Sequence, residues 1–284
     1  MFYLLLICTA IYIYFILFII SGLFKHNVLP VSHSKNLPFV SVVIAARNEE
    51  NNLPELLEDL INQEYPLNKF EIIIVNDRSS DSTPEILKNA SDNYAFIKTI
   101  NINKKSEIMT PKKNAVNEGI KSSKGEIILA TDADCRMGAL WIASMAYSLM
   151  NKNGIIIGYS EISDIKKSYF EKYQKLDFLA ILIANAGASG WNQYWSGTGQ
   201  NLAYYKKDYF EIGGFHPVKS KISGDDMYLV QSISNIKRGY THIDPNSFVK
   251  TKAMSTIKDF INQRIRWSSN SKSNFKNEPL FFTF

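Results

Sequence analysis

The sequence is poor in cysteine and lacks the patterns of nucleic-acid-binding proteins. Cys8 and Cys135 are the two cysteines among 284 residues, one in an apolar segment and one beside acidic residues. Because two such cysteines do not form a disulfide framework, we expect a reducing compartment. The chain has no zinc-ligand spacing, no basic helix with a dimerisation repeat and no aromatic-and-glycine pattern of an RNA-binding sheet. Nucleic acid is therefore not an expected partner.

Glycine-rich loops for binding phosphate are also missing. The first apolar run that predicts a buried strand, residues 39–46, continues into Arg47-Asn48-Glu49-Glu50. A dinucleotide site of the Rossmann type needs a glycine-rich turn at this point, so that type of site is disfavoured. No glycine-rich, phosphate-cradling loop with Lys and Ser or Thr occurs elsewhere in the chain. If a nucleotide binds, a metal ion has to neutralise its phosphates.

The composition predicts a folded domain with appendages. Hydrophobic residues make up 45% of the chain and charged residues 21%, with a formal net charge of +5. This balance is typical of a globular protein and gives no sign of disorder. The mild positive charge suits an anionic membrane surface or a phosphorylated substrate.

The N-terminal segment predicts a membrane helix. Residues 2–24 contain no charged side chain, and about 20 apolar residues suffice to cross a bilayer. A secretory signal is the alternative, but no Lys or Arg precedes the run and no small-residue cleavage site follows it. Lys25 and Lys35 follow the run, and positive flanks stay in the cytoplasm. We therefore expect a transmembrane helix over 1–25, a linker over 26–38 and a cytoplasmic domain on the membrane, the inner membrane if the protein is bacterial.

After the linker, strand and helix patterns alternate. Four apolar, β-branched runs predict strands, and three segments with apolar residues at helical spacing predict the helices between them. The strands are expected at 39–46, 70–75, 96–102 and 126–131, and the helices at 53–63, 83–89 and 112–122. This alternation predicts an α/β fold with right-handed crossovers and a mostly parallel sheet flanked by helices.

The second half has a less regular pattern. We expect a helix at 141–150, a strand at 155–159 and a long amphipathic helix at 169–184. The following segment, 186–201, is rich in glycine and contains Trp191 and Trp195. It predicts either a flexible substrate platform with aromatic faces or a loop with tryptophans packed beneath it.

Carboxylates follow the predicted strands at the positions where ligands bind in parallel sheets. Asp77 ends one strand, and Asp132 and Asp134 end another. Oxygen ligands of this kind suit a hard divalent cation that also grips a substrate phosphate. Asp225 and Asp226 begin a predicted helix that runs to residue 236. They are either partners of the helix dipole or a general base held near the metal.

The C-terminal part ends in an arginine–tryptophan motif and an apolar tail. Residues 260–267 end an amphipathic helix in which Arg266 and Trp267 are adjacent. These two residues are either part of an ordinary surface or a guanidinium for phosphate and an indole for a sugar face. The apolar residues 279–284 suggest that another membrane segment begins near the end of the chain, so the folded domain is expected over 39–274 and this segment from 275 to 284.

Taken in order, these motifs resemble those of the family 2 glycosyltransferases of GT-A fold. The resemblance is to the membrane-bound branch with cellulose, chitin and hyaluronan synthases and ceramide glucosyltransferase. It rests on five elements of that family: the opening strand with Arg-Asn-Glu-Glu, the Asp-Asp-Gly-Ser loop, Lys-x-x-Ala-Leu-Asn, Asp-x-Asp with Thr-Glu-Asp, and Gln-x-x-Arg-Trp. Their counterparts here are 42–50, 76–79, 112–117, 132–134 with 224–226, and 263–267. Asn76 and Arg78 stand where Asp and Gly are usual in the family, and Gly224 and Asp225 where Thr and Glu are usual.

The resemblance implies a role for each matching residue. Donor binding is implied for Ala46, Arg47, Glu49, Asp77, Lys112, Asp132 and Arg266. Metal binding is implied for Asp134 and Asp132, with Mg²⁺ or Mn²⁺ as the cofactor, and Asp226 is implied as the catalytic base. Asp225, Gln263 and Trp267 are expected in the acceptor or sugar pocket, together with Trp195 from the glycine-rich segment.

The function implied is an inverting transfer from a nucleotide-diphosphate sugar, expected to be a UDP-sugar. The acceptor is expected to be a lipid or a polysaccharide at the cytoplasmic face of a membrane. Two alternatives remain open. A metal-dependent sugar nucleotidyltransferase also has an α/β fold with paired carboxylates, although its glycine-rich loop is missing here. A non-catalytic membrane subunit would keep the fold without needing Asp226.

Overall fold

The computed structural model describes residues 1–27, 37–163 and 168–269. The expected second membrane segment at 275–284 lies outside these residues, as does most of the expected linker at 26–38. The N-terminal helix α1 (Phe2–Leu23) forms as expected. Of the helices in the described ranges, α1 alone is long and apolar enough to cross a membrane, judged by length and composition.

Eight helices follow α1 within the described residues. They are α2 (Leu53–Ile61), α3 (Thr83–Asn93), α4 (Pro111–Ser122), α5 (Trp141–Lys152), α6 (Tyr169–Gly190), α7 (Lys206–Glu211), α8 (Asp225–Ile236) and α9 (Ile257–Ser268). The strands of the same ranges are β1 (Val40–Ala46), β2 (Phe70–Asp77), β3 (Ile97–Ile102), β4 (Ile127–Asp132), β5 (Arg136–Met137), β6 (Ile155–Gly158), β7 (Ser160–Ile162), β8 (Leu202–Tyr205), β9 (Gly239–His242) and β10 (Val249–Thr251). The predicted alternation of strands and helices up to β4 is confirmed.

A seven-stranded sheet in the order β3-β2-β1-β4-β8-β6-β9 forms the centre of the fold. Its strands pair in parallel except β8, which runs antiparallel to both β4 and β6. One apolar core lies between the sheet and α2, α3 and α5, and includes Ile44 and Leu56. A second core lies on the opposite face, where Val43 packs with Ile120 of α4 and Ile233 of α8. The predicted α/β architecture with helices on both faces is thus confirmed.

The register of the sheet brings the carboxyl ends of three strands to one edge. Asp132 of β4 pairs with Ala45 of β1, and Asn76 of β2 pairs with Ala46 of β1. Because these strands are parallel and end level with one another, the loops after β1, β2 and β4 start side by side. Of the residues predicted to bind the donor, Ala46, Asp77 and Asp132 lie at this edge.

The strand expected at 155–159 is present as β6, but three other short strands of the second half were not expected from the sequence. Strands β5, β10 and β7 form a separate sheet in which β10 lies between the other two. Strand β10 brings Thr251 next to the acidic end of β4, where its Oγ1 donates a hydrogen bond of 3.2 Å to Asp134 Oδ2. The small sheet therefore closes one side of the carboxylate edge.

Helix α6 is longer than predicted, because the first glycines of the segment at 186–201 are helical and not a loop. A Cβ atom on Gly187 would lie 2.5 Å from the carbonyl oxygen of Ile19, and one on Gly190 would lie 2.1 Å from that of Gly22. Only glycine permits such a close approach between α6 and α1. The packing between the two helices outweighs the low helix propensity of glycine, so the prediction of a flexible backbone is wrong for residues 186–190.

Candidate active site

The end of β4 delivers two carboxylates. Residues 127–131 are buried in the sheet, and the chain then turns, with the N–H of Cys135 donating to the carbonyl of Asp132 at 3.2 Å. Burial raises the pKa of the Asp134 carboxyl, and the charge of Asp132 raises it further. The negative charge at this position is thus only partly compensated by the protein.

A third carboxylate approaches from the loop after β1. Burial raises the pKa of Glu49, a hydrogen bond of 2.7 Å from Asn52 Nδ2 lowers it, and the charges of Asp134 and Asp132 raise it again. Glu49 therefore lies within electrostatic range of the β4 pair. The expectation that the β1 loop and the Asp-x-Asp segment share one site agrees with this arrangement.

The donor atoms at this edge fit a divalent cation. Carboxylate oxygens of Asp132 and Asp134 are the ligands that Mg²⁺ and Mn²⁺ prefer. In the described part of the chain, no three His, Cys, Asp or Glu side chains form a group at metal-binding spacing. Two protein carboxylates with the remaining positions left to water and phosphate is the usual arrangement for Mg²⁺. A cation there would also offset the repulsion that raises the pKa of Asp134.

Lys112 connects this edge with the start of α8. Its Nζ donates to Asp132 Oδ1 at 2.7 Å, and its side chain is 51% exposed. Withdrawal from water lowers the pKa of Lys112, but the carboxylates of Asp132, Asp225 and Asp226 more than reverse this effect. Lys112 is therefore a cation at neutral pH that remains accessible to a ligand between the two acidic groups.

Asp77 is held by an arginine that sequence reasoning does not identify. Asp77 is 5% exposed, and it accepts hydrogen bonds from Arg78 Nε at 2.8 Å and Arg78 Nη2 at 3.1 Å. Arg47 Nη1 lies 4.0 Å from Asp77 Oδ2. Arg78 has a φ of 57°, in the region that favours glycine, and it stands where the resembling family has glycine. That replacement beside Asp77 is the signal that could have identified it.

The loops after β1 and β2 are tied together. The N–H of Asn48 donates to Ser79 Oγ at 3.0 Å, and Asn48 Oδ1 accepts from the N–H of Ser80 at 2.8 Å. The N–H of Glu49 donates to Thr83 Oγ1 at 2.8 Å. These bonds fix residues 47–49 next to Asp77, as the predicted base pocket requires.

Asp226 lies in the first turn of α8, which begins after Gly224 with a φ of 80°. Its Oδ2 accepts from the N–H of Gly199 at 3.2 Å, and its Oδ1 accepts from the N–H of Met227 at 2.8 Å. Burial and the neighbouring Asp225 raise the pKa of Asp226 to about 6. An oriented carboxylate with a pKa near neutrality is what a general base requires.

The arginine–tryptophan motif packs against α6. The rings of Trp267 and Phe178 are 6.2 Å apart, and the guanidinium of Arg264, which pairs with Asp177, lies 4.2 Å from the Trp267 ring. Gln263 accepts a hydrogen bond of 3.4 Å from Arg264. Arg266 is exposed, and its side chain forms no hydrogen bond or ion pair within the described ranges. The roles expected for Gln263, Arg266 and Trp267 stay predictions.

Trp195 lies in another region, beneath the junction of α1 and α6. It is 4% exposed and packs with Ile19 and Ala188 in a small apolar cluster. Gln231 Nε2 donates to its carbonyl oxygen at 2.8 Å. Its expected role in the acceptor pocket also stays a prediction. The residues that the structure does bring together are Glu49, Lys112, Asp132, Asp134 and Asp226, with Ala46, Arg47 and Asp77 beside them.

Comparisons with known proteins agree with this arrangement. Residues 41–225 match the model of Glycosyl transferase family 2. The chain is 30% identical over 264 residues to the probable glycosyltransferase YdaM of Bacillus subtilis (strain 168), covering 89% of this chain and 61% of that protein. It is also 31% identical over 140 residues to the beta-monoglucosyldiacylglycerol synthase of Trichormus variabilis, covering 49% of this chain and 30% of the synthase. The chain thus spans less than two thirds of the length of these relatives.

A solved structure shares the fold. The mannosyltransferase PcManGT from Pyrobaculum calidifontis, solved in complex with GDP-Man and Mn²⁺, superposes with a TM-score of 0.71 at 19% identity, covering 96% of this chain and 73% of that one. This likeness confirms the expected GT-A architecture with its mostly parallel sheet. Because the family model matches more than half of its length, the chain belongs to glycosyl transferase family 2.

Proposed function

We propose that the protein transfers a sugar from a nucleotide-diphosphate sugar to a lipid or glycan acceptor, with inversion at the anomeric carbon. One observation carries the proposal. Lys112 pairs with Asp132 at 2.7 Å and lies within electrostatic range of Asp225 and Asp226. A cation between a metal-binding pair and a base of raised pKa suits a reaction in which a diphosphate leaves and a hydroxyl attacks.

Asp226 is the base of this reaction. With a pKa of about 6, it is mostly ionised at pH 7 and accepts the proton of the acceptor hydroxyl as that oxygen attacks the anomeric carbon. The attack comes from the face opposite the diphosphate, so a single displacement breaks the sugar–phosphate bond and inverts the configuration. The amides of Gly199 and Met227 hold one carboxylate oxygen each and so orient the base.

The donor side has a different task. A Mg²⁺ or Mn²⁺ ion bound by Asp134 and Asp132 would neutralise charge on the leaving diphosphate. Lys112 contributes a second positive charge at the same group, and its half-exposed side chain is accessible to the donor. Asp77, held by Arg78, and the tied segment 47–49 bind the nucleotide base. UDP is the nucleotide we propose, as the resemblance implies.

Membrane association is the second part of the proposal. Helix α1 is apolar and 6% of its most apolar stretch is buried in the protein. On α9, Ile257, Ile261 and Ile265 recur at four-residue spacing and are 64%, 50% and 63% exposed. Helix α9 packs on α6 through Phe260 and Phe170, whose rings are 5.7 Å apart, and α6 packs on α1. An exposed apolar face on a helix that packs on α6, as α1 does, favours contact with lipid, and thus a lipid-borne acceptor.

Incubation with a panel of labelled sugar nucleotides and Mn²⁺ in membranes tests the function. We expect release of nucleoside diphosphate and a labelled product that is either lipid-soluble or polymeric. Release of pyrophosphate would instead support the nucleotidyltransferase, and absence of turnover with every donor would support the non-catalytic subunit.

The Asp226→Asn variant tests the base. It should bind donor normally and lose about 10²- to 10⁴-fold in kcat, the usual range for general base catalysis. In the wild type, kcat/KM should fall about tenfold per pH unit below the pKa of about 6, because protonation removes the base. A variant that transfers sugar at the wild-type rate would exclude this role for Asp226.

The Ile261→Asp variant tests the membrane contact, with Asn262→Asp as a control that adds the same charge to the exposed surface of the same helix. The first change should reduce transfer to an acceptor embedded in vesicles and leave donor hydrolysis unchanged, since a charge in contact with lipid is unfavourable. Equal rates for both variants on the embedded acceptor would contradict contact between α9 and the bilayer.

A further inference from the structure

Lys113 is a buried cation that the chemistry described above does not use. Its side chain is 1% exposed, whereas that of Lys112 is 51% exposed. An ammonium withdrawn from water is costly unless it is paired. Burial lowers the pKa of Lys113, and the charges of Asp225 and Asp226 oppose that shift. Adjacent lysines on α4 thus have opposite surroundings, which calls for a separate role for the buried one.

The contacts of Lys113 lead to the start of α8. Its Nζ donates to the carbonyl oxygen of Lys221 at 2.6 Å and lies 3.9 Å from Asp225 Oδ1. Just before α4, the N–H of Thr110 donates to the carbonyl oxygen of Lys219 at 3.1 Å. The beginning of α4 therefore holds the segment 219–224 at two points, and this segment continues directly into Asp225 and Asp226.

The held segment is irregular, and its backbone is also fixed by the N–H of Lys221, which donates to the carbonyl oxygen of Val218 at 3.0 Å. Within the described residues it contains no helix or strand from 219 to 224, and the side chain of Ile222 is 79% exposed. It ends at Gly224, whose φ of 80° sets the direction in which α8 begins. A shift of this segment would move the first turn of α8 and with it the carboxylate of Asp226.

We propose that Lys113 is a positioning residue for sugar transfer, which fixes the first turn of α8, and so Asp226, relative to the donor diphosphate at Lys112 and Asp132. This inference rests on the proposed function. Lys112 faces the leaving group, and Lys113 faces the segment that carries the base. Because both project from one helical turn, the distance between the leaving group and the base is set by α4.

The Lys113→Met variant removes the hydrogen-bonding ammonium group and its charge while keeping the side-chain volume nearly constant. Misplacing a catalytic group by about 1 Å costs up to about 100-fold, so we expect kcat to fall about 10- to 100-fold while the KM for the donor changes by less than about twofold. Lys121→Met is the matched control, since Lys121 lies on the same helix, is 50% exposed and pairs with Glu118 at 2.9 Å. It should behave as the wild type.

The pH dependence of kcat/KM is a second measurement, and a loss of stability alone would not change it. The charges that act on Asp226 are those of Asp225 on its own helix and of Lys112 and Lys113 on α4. Removal of the Lys113 charge disfavours the ionised carboxylate, so the acid limb of kcat/KM should move to higher pH in Lys113→Met. An unmoved limb together with wild-type kcat would overturn the proposal.

A second variant keeps the test decisive if Lys113→Met does not fold. Removing one member of a buried charged pair is costly, but removing both is much less so. Lys113→Met/Asp225→Asn should therefore fold, and it is compared with Asp225→Asn alone. We expect the double variant to have at least about tenfold lower kcat than the single one. Equal kcat values would overturn the positioning role.

Hydrogen exchange separates this inference from the proposed function. Amides of residues 219–224 should exchange faster in Lys113→Met, or in the double variant relative to Asp225→Asn, than in the corresponding reference protein. If the wild type transfers no sugar, the proposed function fails, and exchange alone decides whether Lys113 holds the segment. Unchanged exchange in these amides would overturn that part as well.

Discussion

The two edges of the central sheet handle buried acidic groups in opposite ways. At the edge where the parallel strands begin, Glu71 of β2 is 2% exposed and fully paired. Its carboxylate accepts hydrogen bonds from Lys98 Nζ, from the N–H of Lys124 and from Ser41 Oγ, the last at 2.7 Å. Burial alone would raise the pKa of Glu71, but these bonds lower it below its usual value.

At the edge where the same strands end, the carboxylates face one another. Burial raises the pKa of Asp134, Glu49 and Asp226, and in each case a neighbouring carboxylate raises it further. Carboxylates that are hydrogen-bonded within the protein hold strands together. Carboxylates that repel one another are instead poised to bind a cation or to accept a proton from a substrate. The difference between the edges therefore separates residues for stability from residues for function.

The largest effect is expected at the edge where the strands end, when one of its carboxylates is removed. Asp134→Ala removes one of the two oxygen ligands that we propose for the divalent cation, so the affinity for the sugar nucleotide in Mn²⁺ should fall about 100-fold or more. Titration calorimetry with a sugar nucleotide, with and without Mn²⁺, measures this loss. Asp92→Ala is the control, because Asp92 is exposed on α3 and pairs with Lys88 at 3.2 Å, away from the end of β4. Unchanged metal-dependent affinity in Asp134→Ala would contradict the metal site.

A change of Glu71, at the edge where the parallel strands begin, should affect stability and leave catalysis intact. Glu71→Gln keeps the shape of the side chain but leaves its partners without a charged acceptor, so the free energy of unfolding should fall by about 1–3 kcal/mol. The kcat of the variant should match that of the wild type. Glu126→Gln, which alters an exposed residue next to the start of β4, should leave both quantities unchanged.

The pH dependence of Glu71→Gln gives the sign of the effect. Because the pKa of Glu71 is lower in the folded protein than its ordinary value of 4.5, its stabilisation is complete above that value. It is lost as the pH falls through the folded-state pKa. The stability difference between wild type and variant should therefore shrink in denaturant titrations below about pH 4.5, and a constant difference would show that the charge of Glu71 is not what stabilises this edge.

The edge of the site was predictable because strand periodicity and strand ends are local features. The apolar runs before Asp77 and Asp132 fix where each strand ends, and the parallel order then brings the ends together. The position of Asp226 in a first helical turn was predictable for a similar reason, since an acidic pair before an apolar helical pattern indicates a helix start. Each of these inferences needs only residues that are close in sequence.

The contacts that tune the site were not predictable, because they join distant segments without a repeating pattern. Thr251 reaches Asp134 from β10, a strand of three residues, which is too short for a periodicity to show. Lys113 looks like its neighbour Lys112 in the sequence, and only the packing of α4 on the segment 219–224 distinguishes them. The glycines of α6 suggested a loop because their partner helix, α1, lies more than 150 residues away along the chain.

The smallest expected effect is on the free energy of unfolding, when the charge of Asp134 is removed from the edge where the strands end. The folded-state pKa of Asp134 is raised, so its ionised form disfavours folding at neutral pH, and this cost disappears as the pH falls towards its ordinary value of 3.8. In metal-free buffer, Asp134→Asn should therefore raise the free energy of unfolding at pH 7 by about 0.5 kcal/mol and leave it unchanged at pH 4. Thermal melts at both pH values in the presence of a chelator measure this difference.

With saturating Mn²⁺ the order of stability of wild type and Asp134→Asn should reverse, because the ion stabilises only a protein that binds it. A variant less stable than the wild type in chelator at pH 7 would mean that Asp134 is satisfied by the protein, as Glu71 is, and that the contrast between the edges fails at this residue.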